Sequence, residues 1–208
     1  MKTREQIVNA YKQRFEKLEA CSNDLIEDIK NYLKDFKRID QISGRAKSID
    51  SFSDKAVKEI TDKCTKETKR KYTDPLFEIQ DQIGIRIVTY YKQDVDFISE
   101  TINKYYSVAE ETKKEPDDEY TFRYFGKHFI LNIPQELREK YGKEFIPTVF
   151  ELQIKTLFQH AWGQCEHDLN YKGEIDGESK RLIGLASANA WGADKAFDAI
   201  LQIIRNRS

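Results

Sequence analysis

Three groups of residues in this chain have the types and spacing that a phosphate-transfer site needs. The first is cationic: Gly44-Arg45-Ala46-Lys47, followed by Ser51 and Lys55. A glycine-bearing stretch leading into a helix presents backbone amides and positive side chains to phosphate. The second is acidic: Asp81 and Glu151 stand at the mouth or on the polar face of two predicted strands. Two carboxylates from separate strands can share one Mg2+, which takes its remaining ligands from phosphate oxygens. The third is Tyr124 with His128, just ahead of another predicted strand, where an aromatic ring can stack on a base. Phosphoryl-type transfer asks little more of a protein than cations for the phosphates, carboxylates for a metal and a holder for the acceptor hydroxyl. Each group alone also has a plainer reading. The cations fit a solvated basic loop, the carboxylates are two of 36 acidic residues, and Tyr124 with Phe122 and Phe125 fits an aromatic core cluster. His160 and His167 share a predicted helix face, but no H-E-x-x-H element accompanies them, so zinc is not expected.

The elements that must position these groups follow from apolar periodicity. Ile7, Tyr11, Phe15 and Leu18, then Leu25, Ile29, Leu33 and Phe36, fall at helical spacing. Ser22, Asn23 and Asp24 predict a break between two helices, because such side chains cap free helix amides. Residues 41 to 50 read as a polar loop, and a helix is expected from Ser51, capped by Ser51 and Asp54, through Ile60 and Cys64 into the basic run Lys63 to Lys71. Ile83, Ile85 and Ile87 alternate with Gly84 and Arg86, which predicts a strand with Asp81 at its mouth. A helix through Val95, Ile98, Ile102 and Tyr105 is expected next, then strands near 107–111 and 128–133. Pro134 and Pro147 bound an excursion with one short helix. From Thr148 to Ile154 the alternation puts Phe150, Leu152 and Ile154 on one face and Glu151 and Gln153 on the other. Two amphipathic helices close the chain, one with Leu157, Ala161, Trp162 and Cys165 on its apolar side, the other from Ser179 to about Arg205. The sum is an α+β chain: a mixed β-sheet packed by helices, with N- and C-terminal helical extensions.

Composition sets the class. The 208 residues are 39% hydrophobic and 34% charged, which fits one globular catalytic unit. A net charge of −1 leaves phosphate binding to a local cluster of cations. Cys21, Cys64 and Cys165 are odd in number and widely spaced, as expected of buried thiols in a reducing compartment. A charged N-terminus and the lack of a long apolar run point to the cytoplasm.

Taken in order, Gly44-Arg45-x-Lys47-x-x-x-Ser51-x-x-x-Lys55, Asp81-x-x-Gly84-x-Arg86, Tyr124-x-x-x-His128, Glu151-x-Gln153-x-Lys155-Thr156 and His167-x-x-x-Tyr171-Lys172 closely resemble the synthetase domain of the RelA/SpoT family. The resemblance spans 43–172, leaving a helical arm over 1–42 and a helical extension over 173–208. It implies a nucleotidyltransferase-like mixed sheet and a Mg2+-dependent pyrophosphokinase that moves the β,γ-diphosphate of ATP to the 3′-hydroxyl of GDP or GTP, making (p)ppGpp-type alarmones. It further implies that Arg45 and Arg86 flank the adenine and that Lys47, Ser51 and Lys55 hold the phosphates. Asp81 and Glu151 hold Mg2+, Glu151 also taking the hydroxyl proton. Tyr124 stacks on the acceptor base, with His128, Gln153 and His167 beside it.

Three positions depart from the family pattern. Gly126 stands where serine is usual, Phe122-Arg123 where asparagine and glycine are, and Lys155 where arginine is. With no hydrolase domain in the sequence, the chain resembles the small stand-alone synthetases, which often form oligomers through flanking helices. An alternative within the resemblance is the toxic subgroup, which pyrophosphorylates the 3′ end of tRNA and is paired with an antitoxin. The basic run Lys63 to Lys71 suits RNA, while the near-neutral net charge does not. A non-catalytic, nucleotide-binding regulatory module is the remaining reading.

Overall fold

The computed structural model describes residues 3–61, 66–112, 123–171 and 176–207. Lys63, Cys64, Phe122, Lys172 and the expected boundary at 172/173 lie outside the described residues. In chain order come α1 (Arg4–Tyr32), β1 (Ile39–Ala46), α2 (Ile49–Ala56), β2 (Glu59–Thr61), β3 (Thr68–Arg70), α3 (Pro75–Glu78) and a 3-10 turn at Gln80–Gln82. Then follow β4 (Ile83–Thr89), α4 (Lys92–Tyr105), β5 (Val108–Thr112), β6 (Lys127–Asn132), α5 (Gln135–Tyr141), β7 (Val149–Thr156), α6 (Leu157–Tyr171) and α7 (Gly177–Arg205).

Five strands form a mixed sheet in the order β1-β4-β7-β6-β5, in which β4 and β7 are parallel and the other neighbours antiparallel. Alternation in β4 and β7 makes the sheet two-sided. Ile83, Ile85 and Ile87 of β4 and Phe150, Leu152 and Ile154 of β7 are buried in one core with Ile7, Tyr11, Leu18, Leu25 and Ile29 of α1 and Val95, Ile98 and Ile102 of α4. The opposite face carries Gly84, Arg86, Glu151, Gln153 and Lys155. Thus α1 and α4 cover the apolar face, and the polar face is left to hold a site.

Four expectations give way here. No break occurs at Ser22–Asp24: α1 runs 29 residues unbroken. The side chains that would cap a break have tertiary roles instead. Ser22 is buried where α1 crosses β1 at Gly44, and a Cβ on Gly44 would lie 2.9 Å from Ser22 Oγ. Asp24 accepts hydrogen bonds from Lys140 and Tyr141 of α5. The loop expected at 41–50 is β1 as far as Ala46, an edge strand whose polar residues reflect one face turned from the core. A boundary at 42/43 would cut this strand. The following helix starts earlier than expected, with Ser48 as its cap accepting from the Ser51 amide, and it stops at Ala56. Beyond it, β2 and β3 pair as a separate antiparallel ribbon where a continuing helix was predicted. Of the four residues expected on the apolar side of α6, Trp162 is buried, whereas Leu157, Ala161 and Cys165 are exposed. Cys21 meets the expectation for its class: it is buried, and burial pushes its thiol up to about 12. Among the described residues no helix is long and apolar enough to cross a membrane.

One buried cation ties α1 to the rest. Arg14 is 3% exposed, and its guanidinium donates to the Leu76 carbonyl (2.9 Å), Gln82 Oε1 (3.3 Å) and the Glu144 carbonyl (2.8 Å). Gln82 in turn donates to the carbonyls of Leu76 and Ile79, which fixes the turn that carries Asp81. Replacing Arg14 with Leu takes this donor from Gln82 Oε1 and the Glu144 carbonyl and leaves the Leu76 carbonyl to Gln82 alone, so Arg14→Leu is expected to lose about 3 kcal/mol of stability in urea denaturation. Arg4→Ala, which removes an exposed pair with Asp54, serves as the control and is expected to change little.

Candidate active site

Strand register assembles the polar face row by row. One row across the sheet runs Ser43–Arg86–Gln153–His128, and the next Arg45–Gly84–Glu151. Adjacent strands lie about 4.8 Å apart, so these side chains meet although their positions in sequence are far apart. They line a cavity of about 730 Å³ that also takes in Lys47, Asp81, Tyr124 and His167. Nine of the eleven residues singled out from sequence therefore face one space. Of the other two, Lys55 reaches its edge through Asp81, while Ser51 is exposed on the first turn of α2, its Oγ bonded to Ser48 Oγ at 2.9 Å.

The two carboxylates are held differently. Asp81 Oδ2 accepts from Lys47 Nζ at 3.1 Å and from Lys55 Nζ at 2.9 Å, while its Oδ1 is buried without a hydrogen-bond partner. Lys47 is steered there by its backbone, whose amide donates to the Gln82 carbonyl and whose carbonyl accepts from Tyr11 Oη at 2.7 Å. Glu151 is gripped at both oxygens: His128 Nδ1 lies 3.1 Å from Oε1, and Gln153 Nε2 donates to Oε2 at 3.0 Å. A carboxylate only accepts, so the His128 proton facing it sits on Nδ1. Two carboxylates on one cavity, one with an oxygen buried and unbonded, suit Mg2+, which binds few protein carboxylates and completes its shell with phosphate and water. Among the described residues no three His, Cys, Asp or Glu side chains cluster as a metal cage.

Arg86 is shaped by its neighbours on α6. Its Nη1 donates to Gln164 Oε1 at 3.2 Å and lies 3.5 Å from His160 Nδ1, and its Nε is buried without a hydrogen-bond partner. Burial, then repulsion from Arg45, lowers its pKa, with Glu151 opposing. His160 is also lowered, by burial first and then by Arg86 and Lys155, so it is neutral near pH 7 and can accept from the guanidinium. Tyr124 lines the cavity yet is only 6% exposed, with Lys92 Nζ 5.4 Å from its ring centroid. Burial, then the nearby Asp194 carboxylate, raises its phenol pKa.

Sequence reasoning missed most of what α6 contributes: Gln159, Trp162, Gly163, Gln164 and Glu166 also line the cavity. Their signal was present as four-residue spacing, Gln159–Gly163–His167 and His160–Gln164, on the face opposite the expected apolar side. The structure also accounts for one departure. A Cβ at Gly126 would lie 2.5 Å from the Ile154 carbonyl oxygen and 2.4 Å from Lys155 Cγ, so a serine has no room where this segment lies against β7.

An α+β domain that turns one sheet face, set with cations and two carboxylates, toward a roomy cavity is of the kind that holds polyphosphates. Residues 44–176 match the family described as the region found in RelA / SpoT proteins, and the chain belongs to that family. It is 27% identical over 203 residues to GTP pyrophosphokinase YjbM of Bacillus subtilis, covering 94% of this chain and 87% of that protein. Its fold matches a GTP pyrophosphokinase family protein from Streptococcus pneumoniae (TM-score 0.69, 19% identity, 98% and 95% of the two chains covered). It also matches small alarmone synthetase 1 from Bacillus subtilis bound to its product pppGpp (TM-score 0.65, 21% identity, 97% of each chain).

Gly84 separates room for a ligand from needs of the fold. It has no positive φ, and a Cβ added there meets nothing within 4 Å, so the backbone does not require glycine. Between Arg45 and Glu151, a side chain would occupy only cavity. Gly84→Val is expected to leave the melting temperature unchanged and to weaken binding of a non-hydrolysable ATP analogue at least about tenfold by calorimetry. A lowered melting temperature with binding intact would assign the glycine to folding instead.

Proposed function

We propose that this chain is an ATP-dependent pyrophosphokinase that transfers the β,γ-diphosphate of ATP to the 3′-hydroxyl of GDP or GTP, giving (p)ppGpp-type products. The observation that carries the reading is Glu151, held at both oxygens by His128 and Gln153 on the wall of the cavity that also contains the Asp81–Lys47–Lys55 cluster. Family membership and the pppGpp-bound Bacillus subtilis structure support the same chemistry.

Arg45 and Arg86 sandwich the adenine between planar cations. Lys47 and Lys55 lie ready for phosphate, since both already hold their ammonium groups at one carboxylate oxygen; Ser51, at the start of α2, adds a hydroxyl. Asp81 and Glu151 would hold Mg2+, which would supply charge neutralisation for the diphosphate. Tyr124, His128, Gln153 and His167 hold the acceptor nucleotide. Glu151 takes the proton as the 3′-oxygen bonds to the β-phosphorus and the bond from that phosphorus to the α-phosphate oxygen breaks, releasing AMP. His128 and Gln153 fix the carboxylate so that no reorientation is needed at that moment. The protein's part is positioning and charge placement. Assembly of copies through the terminal helices belongs to the same reading: α7 leaves Leu182, Leu185, Phe197, Ile200 and Ile203 exposed, an apolar stripe suited to a second copy.

The direct test is incubation with γ-labelled ATP, Mg2+ and GDP, GTP or deacylated tRNA. Label is expected on the guanine nucleotide; label on the tRNA 3′ end alone would replace the acceptor, and no label on any of them would overturn the reading. Asp81→Asn and Glu151→Gln are each expected to cut transfer at least about 100-fold with unchanged circular dichroism. For the stripe, Ile200→Asp is expected to shift the mass seen by light scattering toward that of one chain, and an unchanged mass would count against α7 as the contact.

A further inference from the structure

Among the apolar and small residues of α7 one carboxylate is buried: Asp194 is 1% exposed on a helix whose other residues, apart from Ser187, are at least partly open. Helix α7 begins at Gly177, beyond the stretch that matches the family. Burying a carboxylate is costly unless its oxygens are bonded. Asp194 Oδ2 accepts from Thr156 Oγ1 at 2.6 Å. Its Oδ1 and the Tyr124 hydroxyl are both buried without a hydrogen-bond partner, and the two groups influence each other's ionisation.

Through Thr156 the Asp194 contact continues as a chain of hydrogen bonds. Thr156, the last residue of β7, forms a capping box with Gln159 at the start of α6: the Thr156 amide donates to Gln159 Oε1 at 2.9 Å, and the Gln159 amide donates to Thr156 Oγ1 at 3.1 Å. Gln159 Nε2 then donates to the Phe125 carbonyl at 2.8 Å. From Asp194 the links run to Thr156, to Gln159, to the Phe125 carbonyl and along the backbone to Tyr124. Three of these residues, Tyr124, Phe125 and Gln159, line the cavity, and Thr156 ends the strand that carries Glu151 and Gln153.

We propose that Asp194 is a positioning residue: from α7 it locks the Tyr124–Phe125 segment to the end of β7 and so sets the acceptor wall of the cavity. This rests on the acceptor-side role given to Tyr124 above. The donor side has its own supports, Tyr11 under Lys47 and Gln82 under the Asp81 turn, and none of them passes through α7. Loss of Asp194 therefore loosens one half of the site and spares the other. Burial raises the Asp194 pKa, consistent with a carboxylate kept for the Thr156 hydroxyl rather than for solvent.

The test compares the parent with Asp194→Ala, Asp194→Asn and Thr156→Val. Asp194→Ala is expected to raise the KM for the guanine nucleotide about tenfold while the KM for ATP stays within about twofold. Asp194→Asn, which keeps the shape and one acceptor oxygen, is expected to recover most of that loss. Thr156→Val combined with Asp194→Ala is expected to cost no more than the larger single change, because both cut the same link. Amide exchange gives a readout independent of turnover: residues 123–126 are expected to exchange faster in Asp194→Ala, with residues 44–47 unchanged. Equal rises in both KM values, or unaltered exchange at 123–126, would overturn the positioning role. If Asp194→Ala does not fold, Thr156→Val alone must reproduce the exchange change or the proposal fails. A parent without transfer activity would sink the functional reading, while the exchange result would still decide the positioning role.

Discussion

Pairing of β4 with β7, parallel and in one register, is the constraint on which the rest of the molecule depends. It sets Gly84 beside Glu151 and Arg86 beside Gln153 on one face, and Ile85 beside Leu152 and Ile87 beside Ile154 on the other. A slip of one residue would turn Glu151 and Gln153 toward α1 and expose Leu152 and Ile154. Burial against α1 and α4 makes that slip prohibitively expensive, so the hydrophobic core also fixes the geometry of the polar face. The neighbouring strands inherit the register: β1 brings Arg45 opposite Gly84, and β6 brings His128 opposite Gln153.

On that face the charges are compensated locally. Two ammonium groups share one oxygen of Asp81, and two donors hold Glu151. With a net charge of −1 the molecule as a whole exerts little pull on a polyanion, so attraction has to come from this arrangement at short range. Arg86 shows the cost of crowding like charges: Arg45 disfavours its cation, and nearby Glu151 offsets part of that repulsion.

Most of the sheet was legible in the sequence, because the two-residue alternation over Ile83–Val88 and Thr148–Ile154 fits a strand with one buried face. The carboxylates and Arg86 were legible for the same reason, each lying on or beside such a strand, whereas Arg45, Lys47 and Lys55 stood out through their basic, glycine-bearing stretch. Where local chemistry has two uses, sequence reading failed. Ser22 and Asp24 look like helix caps, yet one is buried against β1 and the other is bonded to α5. Residues 41–46 look like a polar loop, yet they complete an edge strand. The cavity-facing side of α6 was missed because Gln159, Gln164 and Glu166 resemble a solvated helix surface, and only the sheet opposite turns them into a wall.

Arg14 bonds a carbonyl 130 residues further along the chain. During synthesis from the N-terminus, the apolar stripe of α1 is complete long before the strands that cover it exist. Until β4 and β7 have been made, Tyr11, Leu18, Leu25 and Ile29 have no sheet to rest on, and native assembly must wait for nearly the whole polypeptide. Such a helix needs shielding on the ribosome, and its early exposure makes the nascent chain, rather than the finished protein, the vulnerable species.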